Sequence, residues 1–177
     1  ATLHKGEDFT VEVTLAGEFM FQAQSMSETY FPLRTTTWYP RHGELQRSVF
    51  DLRFRHRKKD VVASIGVIAR DETAPDRDDQ RITDVQLAEP VALASFSVAI
   101  YEIHKDQAKM PDGKSLPIEF YSMPGSKAPI KEDFIVAELN NCIRYFTNLY
   151  GPYPYPVFRA AYHPFGYGQG FPTTLMI

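Results

Sequence analysis

The chain has 177 residues, a formal net charge of −3, and 44% hydrophobic and 23% charged residues, which is ordinary for a globular protein. The acidic balance argues against a nucleic-acid-binding protein, and no apolar run reaches the length that spans a membrane. Cys142 is the single cysteine, so no disulfide forms within the chain. The composition leaves both a cytoplasmic and a bacterial extracytoplasmic location open.

Short strands are predicted through the first two thirds of the chain. Alternation of apolar and polar side chains is clearest at residues 9–15 and 48–55. Further strands are predicted at residues 18–24, 61–69, 82–88, 92–103 and 115–123, with turns at 58–60 and 111–114 and an acidic loop at 71–79. Strands of this length and spacing predict an antiparallel β-sandwich or twisted sheet.

One amphipathic helix is predicted from Glu132 to Tyr150. Acidic residues occupy its first turn, and Gly151 stands where a C-terminal glycine cap belongs. Its predicted apolar stripe consists of Ile135, Leu139, Cys142 or Ile143, Phe146 and Leu149. Because Cys142 falls on that stripe, we expect a buried and unreactive thiol.

The composition changes at Pro124, where a Pro- and Gly-containing linker runs to Pro129. Strands precede this linker and the helix follows it. We therefore expect one antiparallel β-domain at residues 1–124 and the beginning of a second domain at residues 125–177. The predicted fold class is mainly β with α, in which a sandwich or twisted sheet is followed by one helix and a short β segment.

A proline-rich connector and a glycine-rich turn follow the helix. Pro152, Pro154 and Pro156 end the helix because each fixes φ and lacks an N–H. A short strand is predicted at 157–162, and the glycine-rich turn occupies 166–172. The turn lacks the Lys-Ser/Thr of a phosphate-binding loop, and a strand rather than a helix follows it, so nucleotide binding is not indicated.

The helix, the stretch Tyr145-Phe-Thr-Asn-Leu-Tyr-Gly-Pro-Tyr-Pro-Tyr-Pro156, a strand and a glycine-rich turn come in an order that resembles the start of the catalytic domain of the aminopeptidase N family. These proteins are gluzincin zinc peptidases. Thr37-Trp-Tyr-Pro40, followed by residues 50–54 and 61–66, is similar to that family's N-terminal β-domain. The resemblance implies a metallopeptidase parent in which zinc-activated water hydrolyses peptide bonds.

In the resembled family, the segment after this strand carries a Gly-x-Met-Glu-Asn motif that lies beside the substrate, and its Glu binds the free α-amine. The resemblance therefore assigns substrate contact to Gly168, Gln169, Gly170 and Phe171. Gln169 is the polar residue nearest to the expected Glu, and Met and Asn are missing. A neutral glutamine accepts a hydrogen bond from an ammonium group but does not neutralise it. A glycine-rich hairpin without a ligand is the alternative.

The histidines do not form the zinc motif of that family. His4, His42, His56, His104 and His163 include no pair four residues apart, and none lies on the helix, whereas His-Glu-x-x-His on a helix is required. We therefore predict no metal ligand, no catalytic residue and no cofactor within this chain. Zinc is expected only in the longer parent protein.

Two functions remain open. The first is a non-catalytic N-terminal fragment of an aminopeptidase-like zinc metallopeptidase. The given sequence stops on an apolar run at 173–177 rather than on a polar tail, which favours this expectation. Its expected partners are the remainder of the catalytic domain and, in the parent, a peptide substrate; self-association of the fragment is also expected. The second is a stand-alone β-rich binding or structural module without enzymatic activity.

Overall fold

A computed structural model describes residues 5–17, 20–23, 28–32, 38–41, 43, 46–125, 130–164 and 168–177. These residues form twelve strands and one helix. The elements are β1 (Met20–Ala23), β2 (Thr29–Pro32), β3 (Ser48–Arg57), β4 (Val61–Ser64), β5 (Val67–Ala74), β6 (Arg77–Val91), β7 (Phe96–Ala99), β8 (Glu102–Lys109), β9 (Ser115–Ser122), α1 (Glu132–Tyr150), β10 (Phe158–Ala161), β11 (Gln169–Phe171) and β12 (Thr174–Met176). The predicted mainly β fold with one helix and a following β segment is confirmed.

The strands form three sheets. The central sheet has the order β1-β2-β7-β4, the outer sheet has the order β3-β6-β5, and the third sheet has the order β11-β12-β10-β9-β8. Strand β10 is parallel to both β9 and β12, which departs from the purely antiparallel prediction. The reason is that α1 carries the chain from the end of β9 back to the start of β10, as in other β-α-β crossovers.

The central sheet is buried on both faces. Val62, Phe96 and Val98 pack with Phe54 of the outer sheet. Their neighbours Ala63 and Ala99 point the opposite way and pack with residues of the third sheet. Because successive strand residues alternate between faces, a run of four buried residues in β7 is expected for a sheet enclosed by two others.

The outer sheet exposes a face of paired charges. Asp84 lies between Arg53 and Arg70, at 2.7 and 2.9 Å, and the hydrogen bond from Arg53 lowers the pKa of Asp84 below its usual range. Strands β5 and β6 form a hairpin whose turn lies within the acidic hairpin loop predicted at 71–79, but the turn is limited to residues 75 and 76, so the loop is shorter than predicted. Cross-strand pairing of opposite charges, such as Arg81 with Asp71 at 2.8 Å, makes the acidic residues compatible with a strand.

Helix α1 has the predicted bounds, but only Leu139 and Ile143 of the predicted apolar stripe are buried. Val136, Leu139, Ile143 and Thr147 are its buried residues, whereas Phe146 and Leu149 are about half exposed. Cys142 is exposed, so the prediction of a buried thiol is wrong. Apolar residues occur on two sides of this helix, and periodicity alone does not determine which side meets the third sheet. Among the described residues, no helix is both long and apolar enough to cross a membrane.

Two predicted strands have a different structure. Residues 7–16 form no strand, and Phe9, Val11, Val13 and Leu15 are all at least half exposed. Their alternation was misleading because a strand also needs a neighbour for its backbone hydrogen bonds, and none of the described strands pairs with this segment. The predicted strand 61–69 is divided at Gly66 into β4 of the central sheet and β5 of the outer sheet. Likewise, the predicted strand 92–103 is divided into β7 and β8, which belong to different sheets.

The third sheet takes strands from both sides of residue 124, because β8 and β9 precede it and β10, β11 and β12 follow it. The domain boundary at that position stays a prediction. Residues 126–129 of the linker and residues 165–167 of the glycine-rich turn lie outside the described residues.

Candidate functional site

The segment predicted to contact substrate lies at one edge of the third sheet. Gln169–Phe171 form β11, which is antiparallel to β12, and Gly168 directly precedes it. Among the described strands, β12 is the one neighbour of β11. On its other side, the backbone N–H and C=O groups of β11 are not hydrogen-bonded to any described strand. An edge of this kind can accept an additional extended chain.

The side chains of β11 divide between its two faces. Gln169 and Phe171 line a small cleft of about 20 Å³ together with Phe31, His163 and Met176. Gly170 is exposed. Phe171 also packs against two core clusters, so its side chain helps to hold β11 in place. The four predicted residues thus lie together, and Gln169 is directed toward the central sheet.

The turn between β11 and β12 is held by Thr173. This residue has φ of 68°, which is unusual for a β-branched side chain. Its side chain is buried, and its Oγ1 accepts a hydrogen bond of 2.8 Å from the backbone N–H of Gly66. Thr174 donates from Oγ1 to the carbonyl of Ser64 at 2.9 Å. The hairpin that carries the candidate site is therefore fastened to the β4–β5 connection.

Gly66 is required where it stands. Its φ is +85°, and an added Cβ would lie 2.3 Å from the carbonyl oxygen of Gln86. Only a residue without a side chain fits both conditions. This glycine lets the chain pass from the central to the outer sheet while its N–H remains available to Thr173.

A buried ion pair supports the same connection. The Arg159 side chain is 3% exposed, and its guanidinium donates to Glu119 Oε2 at 2.9 and 3.1 Å. It also donates to the carbonyls of Ser64 and of Gly66, the latter at 2.8 Å. Tyr121 donates to the same Glu119 oxygen at 3.1 Å, and burial raises the pKa of Tyr121. With this geometry the fork of Arg159 satisfies a carboxylate and two buried carbonyls at once.

The sequence reasoning missed Arg159, Glu119 and Thr173. A signal was present, because Arg159 interrupts an otherwise apolar run at 157–162 and Glu119 does the same at 115–123. Lone charges on buried strands usually have charged partners. Their pairing joins residues 40 positions apart, which no local pattern reveals.

Each of the described histidines has a different contact. His56 hydrogen-bonds Thr83, His104 hydrogen-bonds Ser122, and His163 is buried near Phe31; His4 and His42 lie outside the described residues. Within the part of the chain that the structure describes, no three His, Cys, Asp or Glu side chains come together as a metal site would require. These residues do not fit a zinc ion.

Solved structures of zinc metallopeptidases share this fold. A variant of the M1 zinc metallopeptidase from Deinococcus radiodurans, bound to a Tyr-Ser-Ala substrate, matches with a TM-score of 0.70 at 14% identity, over 85% of this chain and 35% of that chain. Another structure of the M1 zinc metallopeptidase from Deinococcus radiodurans matches with a TM-score of 0.69 at 14% identity, over 85% of this chain and 35% of that chain. Legionella pneumophila aminopeptidase A in complex with aspartic acid matches with a TM-score of 0.72 at 12% identity, over 89% of this chain and 19% of that chain.

The resemblance inferred from sequence is thus confirmed at the level of the fold: the chain has the fold of a part of the M1 metallopeptidases, and it spans about a third or less of their length. No family model matches the sequence, and no curated protein matches it.

Proposed function

We propose that this chain is the non-catalytic N-terminal part of an aminopeptidase N-like zinc metallopeptidase. It would comprise a β-domain at residues 1–124 and the beginning of a thermolysin-like catalytic domain at 125–177. The observation that carries the proposal is the shared fold over 85% of this chain against 35% of the Deinococcus metallopeptidase. The longer protein would release N-terminal residues from peptides, with zinc ligands and a general base that lie beyond this sequence.

Within that protein, Gly168, Gln169, Gly170 and Phe171 would border the substrate. The edge position of β11 supports this role, because an extended peptide can add to an unpaired strand edge through backbone hydrogen bonds. Gly170 supports it too, since an added Cβ would meet Leu175 Cδ2 only at 3.6 Å, so the protein itself does not demand a glycine there. Gln169 would contact the substrate amine as a neutral acceptor.

Exposed apolar residues on α1 would be covered by the remainder of the catalytic domain. Tyr145, Phe146, Leu149 and Tyr150 are between 51% and 82% exposed and lie in the last two turns of the helix. Apolar groups clustered in this way usually mark a contact surface. Expressed alone, the chain should therefore self-associate, which light scattering after size-exclusion chromatography would measure as a mass above that of one 20.2 kDa chain.

The deciding experiment compares this chain with the full-length product of its gene. We expect a His-Glu-x-x-His within about a hundred residues downstream, the scale of one further domain. The full-length protein should bind about one zinc per chain and hydrolyse amino-acid 4-nitroanilides, and the 177-residue chain should do neither. If the full-length protein has neither zinc nor activity, the stand-alone binding or structural module replaces this proposal.

The role of the edge strand has a separate test. In the full-length protein, Gln169→Glu should lower KM for substrates with a free α-amine relative to the same substrates after N-acetylation, because a carboxylate pairs with the ammonium. Gln107→Glu, on an exposed position of β8, is the matched control. Equal effects on both substrates would remove Gln169 from the substrate-binding site and leave the peptidase assignment standing.

A further inference from the structure

A cavity of about 590 Å³ shares no residue with the candidate site. Four parts of the chain line it: Glu89 of β6, the turn between β8 and β9 with the start of β9, Thr147 near the end of α1, and the connector Pro152–Pro156. Its volume is within the range of ordinary ligand sites. Neither the fold comparison nor the proposed peptidase function uses it.

The walls of the cavity are apolar, aromatic and rigid. Pro152, Pro154 and Pro156 have fixed φ angles and are exposed, whereas Tyr153 and Tyr155 are half-buried. The rings of Tyr153 and Tyr155 are 5.4 Å apart at 77°, and the Tyr153 hydroxyl donates to the carbonyl of Val157 at 3.3 Å. Prolines and oriented tyrosines of this kind form the grooves that bind proline-containing peptides, and a preformed wall lowers the entropic cost of binding.

The charges at the cavity favour a cation. Asp112 pairs with Lys114 at 3.3 Å across the turn. Glu89 is half-buried, lines the cavity, and takes part in none of the ion pairs found among the described residues. One carboxylate is therefore left without a compensating charge, beside aromatic faces that attract cations as well.

A buried hydroxyl adds a polar group to this wall. Thr147 of α1 lines the cavity and is 8% exposed, and its Oγ1 has no hydrogen-bond partner among the described residues. A buried hydroxyl without a partner is costly, and because Oγ1 itself is buried, a bound peptide would relieve that cost only after rotation of the Thr147 side chain.

We propose that this cavity binds an extended, proline-containing peptide segment that carries one basic side chain. The prolines of the segment pack against Tyr153, Tyr155 and the connector prolines. The basic side chain lies toward Glu89, where the carboxylate and the tyrosine rings accept it. The site is separate from the substrate contact proposed for the sheet edge.

The test uses the 177-residue chain labelled with ¹⁵N and the peptide acetyl-Pro-Pro-Leu-Arg-Pro-Pro-amide. We expect saturable shifts of the backbone amides of Lys114–Leu116, Tyr153 and Tyr155. The same peptide with citrulline in place of arginine keeps the shape and removes the charge. It should bind about tenfold more weakly, as expected for loss of one charge-assisted contact.

Glu89→Gln supplies the matching change on the protein. It should abolish the preference for arginine over citrulline, whereas Glu102→Gln, an exposed glutamate on β8 outside the cavity, should leave the preference intact. The proposal is overturned if neither peptide binds at millimolar concentration, if both bind equally to the unchanged protein, or if the shifts map elsewhere. Equal binding of acetyl-arginine-amide alone would also overturn it, in favour of a small-cation site.

Discussion

Glycines at two places in this protein differ in whether the fold requires them. Gly66 lies at the crossing between two sheets, where its φ of +85° and the 2.3 Å approach of Gln86 to an added Cβ both demand glycine. Gly168 and Gly170 lie at the sheet edge, neither has a positive φ, and an added Cβ would meet the protein only at ordinary contact distances of 3.5 and 3.6 Å. The fold explains the first glycine fully and leaves the other two to be explained by something outside the described residues.

The largest loss of stability is expected when Arg159, which donates hydrogen bonds to the Gly66 connection, is replaced. Arg159→Met leaves the partly buried Glu119 with only Lys105, 3.9 Å away, as a cation and removes the Arg159 donor from the carbonyls of Ser64 and Gly66, which should lower the free energy of unfolding by about 3–5 kcal/mol. Urea denaturation followed by circular dichroism measures the loss. Arg53→Met is the matched control, because Arg53 also pairs with a carboxylate but is 67% exposed, and its loss should destabilise the chain far less, since exposed ion pairs contribute little. Equal losses in the two variants would show that burial of Arg159 is unimportant.

Gly66→Ala tests the comparison directly. The strained φ and the collision with Gln86 should together destabilise the chain by about 2–4 kcal/mol. Gly168→Ala, measured by the same denaturation, should change stability by no more than about 0.5 kcal/mol. The distinction between the two kinds of glycine fails if Gly66→Ala is as mild as Gly168→Ala.

Thr173→Val isolates the hydrogen bond that fastens the hairpin to Gly66. Valine has nearly the same shape but leaves the buried N–H of Gly66 without an acceptor, so we expect a loss of about 1–3 kcal/mol. Thr173→Ser keeps the hydroxyl and should retain more of the stability. A valine variant as stable as the serine variant would mean that shape, rather than the 2.8 Å hydrogen bond, fixes the turn.

Substitution of Gly170 is expected to have the smallest effect on stability but a clear effect on substrate binding. Gly170→Ala should leave the free energy of unfolding within about 0.5 kcal/mol, because the new methyl group has room. In the full-length protein the same methyl group would stand at the substrate edge and should raise KM for peptides. Unchanged kinetics with unchanged stability would indicate a hairpin that contacts no ligand.

Local sequence signals predicted the two ends of the helix and the turn between β8 and β9. The helix begins at Glu132 and ends at Tyr150 as predicted, because the acidic first turn, Gly151 and the following prolines fix both ends. The turn at 111–114 is also as predicted, with Gly113 at φ +83°. Such signals depend only on residues that are near in sequence.

Features that depend on distant partners could not be predicted in this way. Residues 9–15 alternate as a strand does but have no neighbouring strand among the described residues. For the candidate site, the family resemblance assigned substrate contact to Gly168–Phe171, which stays a prediction, whereas no local pattern indicated the contacts of Arg159 with Glu119 and with the Gly66 connection, which join segments 40 to 95 residues apart. The orientation of α1 likewise depends on which of its two apolar sides the third sheet accepts.

The enclosure of the central sheet has a consequence for local opening of the protein. Strand β7 pairs on one edge with β2 and on the other with β4, and its residues are covered on both faces. Its amide hydrogens reach solvent only when the strand pairing and the packing over β7 are opened together. These amides should therefore exchange with deuterium at the rate set by global unfolding, while those at the exposed end of α1 exchange through local fraying.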